Sequence, residues 1–510
     1  KADGTFENHS TEMFQTHFRA YDKNFNMLYS SQEEAYDGIA EYIAAVLEDG
    51  DEVFAESINI TPQPQASITI QDQYTGYVVA MYGGRGEKTA SKTLNRATDT
   101  VRQPGSTFKI LAAYAPAIDC YGKTLASVYH DAPFWYTYTE EAKEVLNYSR
   151  NHNGMMTFRE AIIGSINVMA VKALTEVSPQ IGFDYLENFG FTSLVEYKEV
   201  GGVGYSDIQQ ALALGGLTDG VSNFELNAAY AAIANHGTYI KPKLYTKIVD
   251  HNGNVLIDNT QPESKQVIKE TTAWLLTSAM QDVVNGNGTG GKANFGNMAI
   301  AGKTGTTSSN KDVWFAGYTP YYTATTWTGY DNNIKMSSEE LNLSKNLWRM
   351  VMGKIHENLP QQSFTMPSGI VTAAVCSKSG KLPIEGVCDG CVITEYFAEG
   401  TVPTTTCDVH YFSNICAYTG LTATEECPFK QASIVEKIPD RLQDTSLASS
   451  LLTDVQNQDS TLASDNSDTT SATEQATSTD VLQMCPHNSA FFASPNANEV
   501  IEMQRQQILQ

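Results

Sequence analysis

Three short stretches of this chain combine residue types that can carry out acyl chemistry. In RQPGSTFKI, Arg102 to Ile110, a hydroxyl at Ser106 is followed three residues later by an amine at Lys109. Positions i and i+3 share one face of a helix, so the amine can reach the hydroxyl. A neutral amine can take the serine proton if burial and a nearby positive charge lower its pKa. The pair alone decides little, because Ser-x-x-Lys is expected about twice by chance at this length. It does occur twice, at Ser106–Lys109 and Ser308–Lys311. Read alone, the first is a helix start capped by Ser106.

The second stretch, AGKTGTT from Ala301 to Thr307, is rarer. Lys-Thr-Gly occurs once, against roughly 0.1 expected from composition. It follows an apolar run and reads as a strand. Lys303 would offer a fixed positive charge to a carboxylate, and Thr304 a hydroxyl beside it. Gly305 lets the backbone come close to a substrate, and the N–H that follows can face a developing oxyanion. Lys303 would also supply part of the charge that depresses Lys109, and a helix N-terminus favours negative charge at Ser106. The third stretch, GSIN from Gly164 to Asn167, lies in a helical region. Ser-x-Asn recurs at Ser57, Ser149, Ser308, Ser344, Ser464 and Ser494, so Ser165–Asn167 gains weight only from its place between the other two.

Elements must bring these stretches together. Ala66 to Gly84 reads as a hairpin about Tyr74-Thr75-Gly76, and Asn252-Gly253 marks another. Residues 155–240 read as helices with short breaks. From Met298 three strand-like runs with short turns predict an antiparallel meander. Leu343, Leu347, Val351, Ile355 and Leu359 form an i, i+4 stripe, which predicts a helix packed on the sheet. Strands, then helices, then strands again predict an α+β domain whose sheet joins strands distant in sequence.

The whole chain bounds these readings. It has 510 residues, a net charge of -25 and 41% hydrophobic residues. Such a charge opposes nucleic-acid binding and docking on anionic lipid. No run of about 18 apolar residues exists to span a membrane. Residues 1–65, with a helical pattern at Glu33 to Leu47, read as a linker or pedestal. Residues 363–440 read as a small Cys-rich β module. Residues 441–510 read as a low-complexity, largely disordered tail, because Leu447 to Asp480 lacks the apolar residues that offset ordering entropy; its last stretch, from Glu499, has the pattern of a short helix.

Ser-x-x-Lys, then Ser-x-Asn, then Lys-Thr-Gly resembles the signature of penicillin-binding proteins and serine β-lactamases. LNRATDTVRQPGSTFK (94–109), GVSNFELNAAYAAIANHGTYIKP (220–242), KTGTTSSNKDVWFAGYTP (303–320) and TGYD (328–331) narrow the resemblance to the transpeptidase domain of class A penicillin-binding proteins. It covers roughly residues 66–431. The resemblance implies a β-lactamase-like transpeptidase fold, an antiparallel sheet sandwiched by helices, over residues 66–362. It implies that Ser106 attacks the D-Ala-D-Ala carbonyl of a peptidoglycan stem peptide, with Lys109 as base. Ser165 would relay a proton to the leaving D-Ala. Asn167 would bind the substrate amide, and Lys303, Thr304, Gly305 and Thr306 would line the carboxylate site. Backbone N–H groups of Ser106 and Thr306 would form the oxyanion hole. A neighbouring peptide's amine would then take the acyl group, and β-lactams would acylate the same serine. The implied setting is the extracytoplasmic face of the bacterial membrane, with other cell-wall synthesis proteins as partners and an anchor in a preceding segment. The glycosyltransferase motif normal in class A members is not found in this sequence.

Rival activities differ in specific residues. A class A β-lactamase needs a Glu-x-x-Leu-Asn loop ahead of Lys-Thr-Gly; the nearest text, SSEELN at Ser337 to Asn342, follows it with the wrong offset. A D,D-carboxypeptidase shares the first half-reaction, with water as acceptor. A noncatalytic penicillin-binding sensor would carry a degenerate site, and here all three motifs are intact. The resemblance implies no cofactor. Cys388-x-x-Cys391 followed by Cys407-x-x-His410 has near zinc-ribbon spacing, while a setting outside the cytoplasm favours disulfides. Zinc, disulfides and free thiols all stay open for that cluster.

Overall fold

Alternating β-rich residues on either side of an Asp-Gln-Tyr-Thr-Gly turn fold into the first hairpin, β1 (Gln65–Gln71) and β2 (Val78–Tyr82). The later meander supplies β3 (Ala301–Thr306), β4 (Asp312–Tyr318) and β5 (Thr323–Gly329). One sheet runs in the order β3-β4-β5-β1-β2, antiparallel throughout, because β1 pairs with β5 from Gln65↔Gly329 to Gln71↔Thr323. The computed structural model describes residues 1–88, 91–136, 143–443 and 484–508. The Ser464-Asp465-Asn466 triplet and the low-complexity run from Leu447 to Asp480 lie outside the described residues.

Both faces of the sheet are covered, which is why β4 and β5 are buried along their full length. Trp314, Ala316, Tyr318 and Trp327 face the main helical core. That core contains α1 (Phe158–Gly164), α2 (Asn167–Val177), α3 (Asn223–Ala234) and α4 (Glu270–Asn285). Phe315, Ile68 and Ile70 face the other way and pack with α5 (Leu343–Ile355). The architecture is therefore the α+β sandwich that the sequence predicts. A difference appears on α5: its buried line is Ser344, Trp348 and Met352, one residue out of step with the expected stripe. The two large side chains, Trp348 and Met352, claim the interior, and Ser344 is small enough for its carbonyl to accept from Thr326 Oγ1 at 2.9 Å. Leu343 and Ile355 are left exposed at the margins.

The C-terminal module consists of two hairpins. β6 (Ile370–Cys376) pairs with β7 (Val392–Ala398), and β8 (His410–Cys416) pairs with β9 (Lys430–Glu436). It docks on the main body through Val375 and Phe397 against Ala126. Gly380 makes a close approach there, with φ +71°; a Cβ at that position would lie 2.2 Å from the Ala126 carbonyl oxygen. Arg159 of α1 donates two 2.7 Å hydrogen bonds to the Glu395 carboxylate of β7 and also pairs with Asp282 of α4. Residues 484–508 are folded, and the short helix expected from Glu499 is present there. These form a turn at Asn488–Phe492 and a helix, α6 (Ala497–Ile508), and they pack on the second hairpin through Cys485, Phe491 and Ile501. Near the N-terminus, Gln32–Val46 is helical, as its periodicity predicts. Among the described residues no helix is long and apolar enough to cross a membrane.

Candidate active site

Ser106 sits on a single 3₁₀ turn, Gly105–Thr107, that leads into helical residues 109–119. The first part, Lys109–Tyr114, is π-helical, a geometry that often marks functional positions and that sequence periodicity does not reveal. Glycines set how this turn meets the sheet. Gly105 has φ +56°, and a Cβ there would lie 2.6 Å from the Thr306 carbonyl oxygen. Reciprocally, a Cβ on Gly305 would lie 2.5 Å from the Pro104 carbonyl oxygen. Two glycines thus let the serine-bearing turn rest directly on the backbone of β3, an edge strand. A third, Gly215, abuts Gly105 from behind, with φ +72° and room for no Cβ. Lys-Thr-Gly marks Gly305 in the sequence, whereas no motif marks Gly215.

The structure joins the three motifs. Lys303 Nζ on β3 donates to Ser165 Oγ at 2.7 Å, and Lys109 Nζ lies 3.2 Å from the same oxygen. Lys109 also donates to Asn167 Oδ1 at 2.6 Å and to the Ser165 carbonyl. Ser165 therefore stands between two lysines. In this resting arrangement the Lys109 amine points to Ser165 and Asn167, and Ser106 Oγ has no hydrogen bond among the described residues. Ser106 is partly exposed, whereas Lys109 and Lys303 are fully buried. Thr304 Oγ1 pairs with Thr289 Oγ1 at 2.7 Å. Ser308 and Lys311, the other Ser-x-x-Lys match, lie beyond the end of β3.

Charge and burial tune the amines. Burial, with a smaller contribution from the Lys303 charge, holds Lys109 well below the usual lysine range. Burial and the charge of Lys345 on α5 push Lys303 down to about 7. Lys345 is a residue that the sequence reading did not single out. The shift favours the neutral amine at Lys109, the form that can accept a proton.

GSIN lies in the expected helical region, at the break between α1 and α2. Ser165 is the left-handed C-cap of α1, with φ 54° and ψ 43°, a conformation that costs a non-glycine residue about 1 kcal/mol. Asn147 holds the break in place. Its Oδ1 accepts from the N–H groups of Asn167 and Val168, the role of a helix cap. Its Nδ2 donates to the fully buried Asp131 carboxylate at 2.8 Å, and Asn167 Nδ2 is fixed on the Leu146 carbonyl. Asp131 and Asn147 were missed because no local pattern links them to Ser165.

The Cys388/Cys391/Cys407/His410 set is corrected. Cys376 replaces Cys391, and Cys376, Cys388, Cys407 and His410 bring one ligand atom each to within 4.8 Å of one another. No cysteine among the described residues is in a disulfide.

A family model described as the penicillin-binding protein transpeptidase domain matches residues 66–353. A second, described as the C-terminal domain of penicillin-binding protein 1A, matches residues 366–412. Penicillin-binding protein 1A of Clostridium tetani is 38% identical over 359 residues, covering 68% of this chain and 45% of that protein. Penicillin-binding protein 1A/1B of Bacillus subtilis is 30% identical over 372 residues, covering 69% and 38%. The chain spans less than half the length of these curated relatives. The crystal structure of penicillin-binding protein 1A from Haemophilus influenzae superposes with a TM-score of 0.58 at 25% identity, covering 68% of this chain and 55% of that one. PonA1 of Mycobacterium tuberculosis, solved in complex with penicillin V, shares the fold, with a TM-score of 0.52 at 24% identity and coverage of 66% and 86%.

Proposed function

The chain belongs to the penicillin-binding protein transpeptidase family, and from that premise we propose that it cross-links peptidoglycan stem peptides through an acyl-enzyme on Ser106. One observation carries the reading: the Ser165 hydroxyl bridges two fully buried lysines beside the turn that presents Ser106. Such a triangle moves protons and fixes an anion in one place. Neutral Lys109 takes the Ser106 proton as Oγ bonds to the D-Ala-D-Ala carbonyl carbon. The proton passes by way of Ser165 to the leaving amine as the C–N bond breaks. Lys303, charged and flanked by Thr304 and Thr306, holds the terminal carboxylate. Asn167 takes the substrate amide, and the N–H groups of Ser106 and Thr306 face the oxyanion. An amine of a second peptide then attacks the ester and releases Ser106. Every group used here comes from the chain, and no step calls for a cofactor.

β-Lactams would acylate Ser106 by the same first step, as the penicillin V complex of the related PonA1 fold supports. The substrate places the reaction on the outer face of the cytoplasmic membrane. Residues 66–362 carry this activity, and residues 363–440 form the appended module.

Labelling with a fluorescent penicillin tests the nucleophile. The wild type takes label and Ser106→Ala does not; covalent label retained on Ser106→Ala overturns the assignment. Incubating a D-Ala-D-Ala pentapeptide with a D-amino acid tests the second half-reaction. Mass spectrometry should find the exchanged product; hydrolysis alone would make the protein a carboxypeptidase, and neither product a penicillin-binding sensor.

A further inference from the structure

Along the chain Cys485 stands apart, 58 residues beyond Cys427. In the fold it returns. Cys416, Cys427, Cys485 and His487 form a second buried set of three sulfurs and one imidazole, with ligand atoms within 4.8 Å of one another. We propose that the C-terminal module is a tandem pair of structural zinc sites, one held by Cys376, Cys388, Cys407 and His410, the other by Cys416, Cys427, Cys485 and His487.

The distances fit a tetrahedral ion. Bonds of about 2.3 Å to sulfur and 2.05 Å to nitrogen place two sulfurs about 3.8 Å apart, and sulfur and nitrogen about 3.6 Å apart. In the first site Cys376 and Cys407 Sγ are 3.7 Å apart, and His410 Nδ1 lies 3.3 and 3.5 Å from them. In the second, His487 Nδ1 lies 3.5 Å from Cys416 Sγ and 3.6 Å from Cys427 Sγ. A disulfide would need sulfurs at about 2.05 Å.

The surroundings fit as well. Each histidine turns Nδ1 inward and Nε2 outward to an oxygen: Glu436 Oε1 at 3.1 Å for His410, Gln504 Oε1 at 2.9 Å for His487. A carboxylate or amide oxygen only accepts, so Nε2 carries the proton and Nδ1 keeps its lone pair for the metal. Backbone N–H groups of Ile384 and Val409 donate to Cys388 and Cys407, and that of Thr424 donates to Cys485. These bonds stabilise thiolates.

The two sites repeat one design. Cys376 ends β6 and Cys416 ends β8, and each is followed by a glycine turn, at Gly380 and Gly420, with φ +71° and +72°. Each first cysteine accepts from the glycine N–H four residues on. Each third cysteine donates its N–H at 2.8 Å to the strand-like residue after the turn, Cys407 to Leu382 and Cys485 to Thr422. The chain thus reuses one knuckle, and its last 25 described residues complete the second copy. Within the module Cys391, not fully buried, is left outside both sets, as is Cys120 of the main body.

Metal analysis of the full chain, purified without chelator, decides the matter. Inductively coupled plasma mass spectrometry against sulfur should give two zinc ions per chain. Cys376→Ser and Cys485→Ser should each leave one, and Cys391→Ser should keep two. Cobalt exchanged for zinc should show the ligand-field bands of a tetrahedral thiolate site. Circular dichroism checks that each variant folds, and the wild-type count stands whether or not they do. Fewer than one zinc per chain, with thiols free or oxidised, overturns both sites. A Cys485→Ser variant that keeps the full wild-type zinc count overturns the second, and a Cys376→Ser variant that keeps it overturns the first. Loss of an ion from Cys391→Ser overturns the ligand set assigned here.

Discussion

Lys303 has two demands on its charge. It must be protonated to hold a carboxylate, yet burial and Lys345 push it down to about 7. In the proposed reaction Lys109 must be neutral to accept a proton, and burial with the Lys303 charge lowers its pKa in that direction. The second-order rate constant for acylation by a penicillin reports the free enzyme. It should fall above about pH 7 as Lys303 loses its proton. Lys303→Arg keeps the charge and should carry the falling limb above about pH 9, whatever it does to the absolute rate. A wild-type profile that stays flat from about pH 7 to 10 would remove the Lys303 charge from the acylation step.

Contacts between elements set the geometry that those charges use. The serine-bearing turn touches β3 through Gly105 and Gly305, backbone on backbone. Gly105→Ala would place a Cβ 2.6 Å from the Thr306 oxygen, on a residue at φ +56°. The left-handed conformation alone costs about 1 kcal/mol, and a displacement of about 1 Å can cost roughly 100-fold in rate. Penicillin acylation should fall by about that factor while circular dichroism stays native. A rate within about threefold of the wild type would mean that the turn has slack. Much at this scale was legible in advance. The hairpin at Tyr74-Thr75-Gly76 and the meander from Met298 follow from alternation and turn residues. Ser106, Lys109 and Lys303 sit in local motifs that expose them. Asn147 does not, since it caps α2 from 20 residues away. The buried line of α5 was misplaced because the leucine spacing counts residues and not their sizes.

Across the whole molecule, the module and the transpeptidase body are joined by a buried charge. Glu395 is 1% exposed and accepts from Nε and Nη2 of the Arg159 guanidinium. Removing one partner of such a pair strands the other, at about 3–5 kcal/mol when fully buried. Asp282 remains as a second partner of Arg159, so Glu395→Ala should cost about 2 kcal/mol. Thermal melting should show a lower first transition, and limited proteolysis should release the module near residue 366. An unchanged melt would mean that the apolar contacts at Val375 and Phe397 suffice. The docking was invisible in the sequence, because residues 159 and 395 share no motif and meet only after both parts fold.

The helix that carries Arg159 is seven residues long, Phe158–Gly164, and the residue that ends it is Ser165. A rod of about 10 Å has no room to bend. One end is clamped by the appended module and the other presents the hydroxyl between the two lysines. On the proposed proton path the module would act as a jig, holding Ser165 in register through Arg159 without touching substrate.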